Sequence, residues 1–160
     1  MDTMKPVRIL FVCLGNICRS PLAEGVMREL VGRAGYRQSV SVDSAGTGAW
    51  HVGHPPDRRS IAVARAHGID IKDLRGRQIS AADFAAFDLI LGMDRCNVSE
   101  LMRLASPETA HKVHLFMTLA TGRNVDVPDP YYETADAFDA LYQGLEEGCS
   151  SLLAKLERPS

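Results

Sequence analysis

Apolar positions fall into two alternating rhythms along this chain, one of continuous short runs and one of three-and-four spacing. Val7 to Cys13 is a nearly unbroken apolar run with β-branched content, the pattern of a strand buried on both faces of a parallel sheet. Just after it, Pro21 sits where a first helical turn accepts proline. Leu22, Val26, Met27 and Leu30 then recur at helical spacing, predicting a helix that ends at Gly32. Ser39 to Ala45 alternates as a second strand, Phe87 to Met93 (FDLILGM) reads as a buried third, and Val113 to Met117 as a short fourth. Between them, Arg58 to His67 is rich in alanine and arginine with Gly68 as a left-handed stop, and Asp94 can cap a helix running to about Leu104. Phe138, Leu141, Tyr142, Leu145, Cys149, Leu152, Leu153 and Leu156 mark one face of a long closing helix, in which Gly144 and Gly148 each cost ~1 kcal/mol.

Strands that alternate with helices require crossovers, so the expected class is α/β: a three-layer α/β/α arrangement with a four-stranded parallel sheet flanked by helices. A length of 160 residues suits one domain spanning 1–160, with no repeat or linker to divide it. Ligands in such sheets bind beyond the carboxyl ends of the strands, which is where residues 13–20 emerge from the first one. Charge narrows the partners. With 18 basic against 20 acidic side chains the net charge is -2, which gives no reason to expect nucleic acid or an acidic membrane surface. No apolar run approaches the ~20 residues of a membrane span, and MDTMKP lacks the apolar region of a secretion signal, so the expected location is cytoplasmic. A reducing compartment would leave Cys13, Cys18, Cys96 and Cys149 as thiols, so chemistry or burial must explain each.

The stretch VCLGNICRSP (12–21) carries the densest chemistry. It leads into a helix whose first amides have no internal partner; a loop curled with its amides inward is an anion nest, and the helix dipole adds positive potential at its mouth. Arg19 supplies a planar fork for two phosphate oxygens. The same field favours the thiolate of Cys13, which points to nucleophilic attack on phosphorus. A buried strand-end cysteine is the alternative reading, and Gly15, Arg19 and the Ser-Pro pair that opens the helix argue against it because each meets a separate need of a phosphate cradle. A departing oxygen also needs a proton, and Asp129, between two prolines in VPDPYY, is the candidate acid. A Pro-Asp-Pro aspartate alone would be a turn former; beside it, Tyr131 and Tyr132 can wall a flat phenyl ring, or can serve as ordinary core or surface aromatics.

Taken together, CLGNICRS near the start, DPYY near the end, and DSAGTGAWHVGHPPD (43–57) and AHGID (66–70) between them resemble the low molecular weight protein tyrosine phosphatases over nearly the whole chain. The resemblance implies hydrolysis of phosphotyrosine without metal or other cofactor, through a phosphocysteine. It implies Cys13 as nucleophile, Arg19 as phosphate binder and transition-state stabiliser, and Asp129 as the acid that later activates water. Leu14, Gly15, Asn16, Ile17, Cys18 and Ser20 would complete the phosphate-binding loop, with Ser20 hydrogen-bonding Cys13. Asn16, Ser44 and His67 match mutually bonded supporting positions, although His67 beside Gly68 also reads as a helix-end cation. Leu14, Ile17, Trp50 and Tyr131 match the walls of an aromatic slot, with Tyr132 beside them. Cys18 matches a cysteine that forms a protective disulfide with the nucleophile under oxidation, packing being the alternative; Cys96 and Cys149 fall on helical apolar faces and read as core. Expected partners are tyrosine-phosphorylated proteins or peptides, and phosphate or other oxyanions as ligands. The expected state is a monomer, with weak dimerisation as the alternative.

Relatives set the rivals. Arsenate reductases share the loop but need a further close cysteine pair where Cys96 stands alone, and protein arginine phosphatases carry threonine where this chain has Ile17 and a non-tyrosine where it has Tyr131. A silent phosphotyrosine-binding module would not need Cys13, Arg19 and Asp129 together. Zinc at Cys13 and Cys18 lacks a second ligand pair, and a dinucleotide site lacks the glycine triplet that close pyrophosphate approach requires.

Overall fold

The computed structural model describes residues 4–158. Its elements run β1 (Val7–Cys13), α1 (Arg19–Ala34), β2 (Val40–Gly46), α2 (Arg58–Ala66), α3 (Ala81–Ala86), β3 (Leu89–Gly92), α4 (Arg95–Leu104), a 3₁₀ turn (Ala110–Lys112), β4 (Val113–Leu115), α5 (Phe116–Thr121) and α6 (Ala135–Glu157). The strands form one sheet in the order β2-β1-β3-β4, every pair parallel, with Cys13 level with Gly46 and Val12 with Gly92. This is the expected α/β class with a four-stranded sheet.

The alternation of side chains along a strand divides the core in two. Ile9, Phe11 and Cys13 of β1 face the layer of α1, α2, α5 and α6, while Leu10 and Val12 face the other layer, with Ile79, Phe84 and Leu101. Both sets are fully buried at β1, which is why its sequence shows no polar alternation. Cys13 therefore leaves the sheet on the α1 side, at the carboxyl end of a central strand.

Several boundaries differ from the sequence reading. The first helix passes Gly32 and stops at the left-handed Gly35 (φ 83°), where Gly35 N–H donates to Gly32 O at 3.2 Å and Tyr36 N–H to Val31 O at 3.0 Å. The fourth strand ends at Leu115 because Phe116 and Met117 turn inward to open α5, a helix too short to show a period. The short α3, opened by a Ser80–Asp83 capping box, was likewise absent from the sequence reading. The closing helix includes both glycines, and Gly148 has a reason: a Cβ there would lie 2.7 Å from the Phe116 ring. Cys149 is in the core, as expected, but Cys96 is exposed on the outer face of α4; only Leu101 and Asn97 of that helix are buried. Among the described residues, no helix is long and apolar enough to cross a membrane.

Candidate active site

Residues 14–18 bridge β1 and α1, and the carbonyls of Cys13, Leu14, Ile17 and Cys18 are taken by neighbouring segments. Thr47 N–H donates to Cys13 O and Gly48 N–H to Leu14 O, each at 2.9 Å; Asp57 N–H donates to Ile17 O at 2.8 Å and Ser60 Oγ to Cys18 O at 3.2 Å. With that edge committed, the N–H edge is the one left to meet an anion in the cleft. Asn16 sits in the left-handed region (φ 56°), a conformation asparagine tolerates but does not prefer, and its side chain is bonded on every side. Its Oδ1 accepts from Arg77 N–H at 3.0 Å, and its Nδ2 donates to Ser20 Oγ at 2.8 Å and Ser44 Oγ at 3.0 Å. Ser20 Oγ in turn lies 3.0 Å from Cys13 Sγ.

Arg19 is only 3% exposed, and a buried guanidinium must be paired. Its Nη1 donates to Asp94 Oδ2 at 2.7 Å and to Val127 O at 3.0 Å, while Nη2 lies 3.7 Å from Asp129 Oδ2. Burial works against its charge, but Cys13, Asp94 and Asp129 outweigh that and hold its pKa above the ordinary value. Asp94 thus has two tasks, since it also caps α4 by accepting from Asn97 N–H at 2.8 Å. The cap was legible from the sequence. The bond to Arg19 was not, because the two residues are 75 positions apart.

Asp129 stands across the cleft, its side chain 44% exposed, with Tyr131 N–H donating to Oδ1 at 3.1 Å. Arg59 braces this loop from α2: Nη2 donates to Tyr131 O at 3.0 Å and Nη1 to Glu133 O at 3.1 Å, while Asp57 takes the same guanidinium in a fork. The Arg59 fork holds the Asp57 carboxyl below its ordinary pKa. Cys13, Leu14, Gly15, Ile17, Cys18, Arg19, Trp50, Asp129, Tyr131 and Tyr132 line one cleft of ≈ 470 Å³, so the structure brings these sequence candidates together. His51 joins them. Neither it nor Arg59 stood out in the sequence, because a lone histidine in a loop or arginine in a helix has no motif to mark it. Trp50 (70% exposed) and Tyr132 (93% exposed) form a high, open rim. The Cys18 thiol, deeper in the loop, has its pKa pushed up to about 12 by burial first and then by Asp57, Cys13 and Asp129.

One expected partner is elsewhere. His67 does not bond Asn16 or Ser44; it is exposed in the turn that ends α2, its ring stacked 3.7 Å from that of Tyr142. His67 caps the end of α2, a helix that packs against α6, and this carries its ring to Tyr142 and away from the loop. Its place on Ser44 is taken by the buried carboxylate of Glu24, which accepts from Ser44 Oγ at 2.7 Å. No metal-ligating group of three or more His, Cys, Asp or Glu occurs among the described residues.

A family model described as low molecular weight phosphotyrosine protein phosphatase matches residues 8–160. The chain is 39% identical over 153 residues to the low molecular weight protein-tyrosine-phosphatase YfkJ of Bacillus subtilis, covering 95% of this chain and 97% of that one. It is 42% identical over 154 residues to the low molecular weight phosphotyrosine protein phosphatase of Schizosaccharomyces pombe, covering 95% and 98%. Among solved structures, Vibrio vulnificus Wzb in complex with benzylphosphonate superposes with a TM-score of 0.83 at 33% identity, over 93% of this chain and 98% of that one.

Proposed function

The chain belongs to the low molecular weight phosphotyrosine protein phosphatase family, and on that footing we propose that it hydrolyses phosphotyrosine and related aryl phosphates through a phosphocysteine. The observation that carries the reading is the meeting of Cys13, Arg19 and Asp129 in one aromatic-walled cleft. The phosphoryl group enters the loop, its oxygens facing the amides of residues 14–19 and the Arg19 fork. The Cys13 thiolate attacks phosphorus in line with the ester oxygen; a P–S bond forms as the P–O bond breaks. The Asp129 carboxylic acid gives its proton to the departing phenolate. Water then attacks phosphorus, Asp129 takes a proton from it, the P–S bond breaks, and phosphate leaves with the thiolate restored.

Each element matches a demand of that sequence. Arg19 must hold its orientation while charge shifts between equatorial oxygens, and Asp94 with Val127 O fixes its other edge. Asp129 must gain and lose a proton, which an exposed carboxyl can do. Trp50, Leu14 and Tyr131 give the cleft apolar walls, and benzylphosphonate, bound by the related Wzb, carries the kind of aromatic ring that such walls can hold. The matches do not favour arsenate reduction or phosphoarginine hydrolysis.

We place the activity in the cytoplasm, on a single domain that acts as a monomer. Under peroxide, the Cys13 thiolate is oxidised to a sulfenic acid while peroxide is reduced; the Cys18 sulfur then displaces hydroxide, forming a disulfide that added thiol reopens. The deciding assay compares phosphotyrosine, phosphoserine and phosphoarginine peptides side by side, with arsenate-dependent thiol consumption measured alongside. Preference for the phosphotyrosine peptide is expected. Faster phosphoarginine turnover or arsenate reduction would overturn the reading.

A further inference from the structure

Glu24 takes no part in the chemistry just described, yet it ends a hydrogen-bond chain that begins at the nucleophile. It lies on α1 directly after the loop, 2% exposed. Its Oε1 accepts from Ser44 Oγ at 2.7 Å, Ser44 accepts from Asn16, Asn16 also donates to Ser20, and Ser20 lies 3.0 Å from Cys13 Sγ.

The direction of every proton in this chain follows from its two ends. Arg77 N–H can only donate, so the Asn16 oxygen must face it, and both N–H bonds of the amide must point at the two hydroxyls. Each serine then accepts from Asn16 and has a single proton to send elsewhere. Ser44 sends its proton to Glu24, an acceptor-only group when ionised. Ser20 is left with the Cys13 sulfur, or with Ala45 O at a longer 3.5 Å.

We propose that Glu24 is a positioning residue for the phosphate-binding loop: by accepting the Ser44 proton it fixes the direction of the relay, so that Asn16 holds its left-handed shape and the Ser20 hydroxyl points at the Cys13 sulfur. Without that acceptor the Ser44 proton turns back on the Asn16 amide, donor against donor, in a buried space. The groups facing Glu24 are Ser44 and Asp43 from β2, Arg28 from its own helix and Arg77 from the segment beyond Gly76. Arg28 Nη2 lies 2.6 Å from Oε2 but off hydrogen-bond alignment, and donates instead to Val42 O at 2.8 Å. Oε2 is therefore buried with no hydrogen bond of its own. Burial raises the Glu24 pKa, with the Ser44 bond and Arg28 opposing. A glutamine can serve the Ser44 side only by setting its amide nitrogen against the Arg28 guanidinium.

The inference rests on Cys13 as the reactive thiol, and alkylation by iodoacetamide tests both separately. Wild type should lose activity on alkylation at Cys13 and be protected by inorganic phosphate. Unprotected or inconsequential alkylation would count against the nucleophile itself. If that holds, Glu24→Gln and Ser44→Ala should each slow Cys13 alkylation at mildly acid pH about tenfold. Both should lower kcat on an aryl phosphate with little change in KM, and the double variant should be no worse than the poorer single one. An alkylation profile unchanged in Glu24→Gln, or additive losses in the double variant, would overturn the relay; so would a lower melting temperature as the sole effect. Should Glu24→Gln fail to fold, Glu24→Asp decides, because it keeps the charge but draws the acceptor back from Ser44 and leaves the Asn16–Ser44 bond in place: slowed alkylation is expected, and an unchanged profile would overturn the relay.

Discussion

Residues 13–20 and residues 127–133 face the same cleft from opposite sides, and they hold their charged groups by opposite means. In the first loop Asn16, Arg19 and Ser20 are buried, the carbonyls of Cys13, Leu14, Ile17 and Cys18 are bonded to neighbouring segments, and the guanidinium is fixed along one edge by Asp94 and Val127 O. The second loop has two prolines without N–H donors, Val127 N–H bonded to Met93 O at 2.8 Å, and an open carboxyl on Asp129. The difference follows from the tasks we assign them. Donors that receive developing negative charge act most strongly when fixed and desolvated beforehand. A group that must trade protons with a leaving oxygen and then with water needs access to both.

If that division is right, the largest loss comes from the sealed side. Cys13→Ser should lower p-nitrophenyl phosphate hydrolysis by at least about a thousandfold while leaving thermal unfolding cooperative, since the hydroxyl keeps the loop geometry but not the nucleophile. Turnover within a few per cent of wild type would remove Cys13 from the mechanism. On the open side, Asp129→Ala should slow phenyl phosphate by about 10²–10⁴-fold and p-nitrophenyl phosphate, with its better leaving group, by clearly less. An equal loss for both substrates would show that Asp129 is not the acid.

A sharper cut through the comparison is Arg59, which ties the open loop to the sealed one. Its guanidinium braces Tyr131 O and Glu133 O, and its partner Asp57 carries the N–H bonded to Ile17 O. Arg59→Ala should cost about tenfold, mostly with poor leaving groups, because it loosens the acid loop and leaves the thiol in place. Arg59→Lys should not restore it, since an ammonium cannot reproduce the fork. Loss independent of leaving group would instead place Arg59 in the support of the phosphate-binding loop.

The two loops also differ in how well the sequence disclosed them. Residues 13–20 were legible because a compact cradle needs its thiol, glycine and arginine close together, directly after a strand whose burial is written in unbroken apolar residues. Asp129 was readable from two prolines and two tyrosines, although its approach to Arg19 depends on how the whole α/β unit closes. What stayed hidden is the bracing. Asp94 read as a helix cap, and it is one, but its second bond reaches Arg19 beyond the neighbouring strand, 75 positions away in sequence. Glu24 sits in a helix pattern where a glutamate normally faces water, and nothing local says that this one is buried against β2. The supporting role for His67 failed for the complementary reason: its match to a position of the resembled family placed it near the loop, whereas the alternative reading, a residue at a helix end, is where it lies, capping α2 and stacked on Tyr142.

The smallest expected effect tests whether the far side of the sheet is independent of both loops. His114 lies on β4, the edge strand farthest from β2, half-buried, and burial first and then His111 depress its pKa below the ordinary 6.5. The unfolded chain therefore takes up a proton there before the folded one does. The contribution of this residue to stability is complete above 6.5 and is lost as pH falls through the depressed folded value. His114→Gln, which cannot titrate, should show a melting temperature that falls less on mild acidification, by about 1–2 °C relative to wild type. Its kcat and leaving-group dependence should stay as they were. A change in either would mean that β4 packing reaches the acid loop, through α5 and the segment ending at Val127, and the two sides of the cleft could no longer be treated as separately held.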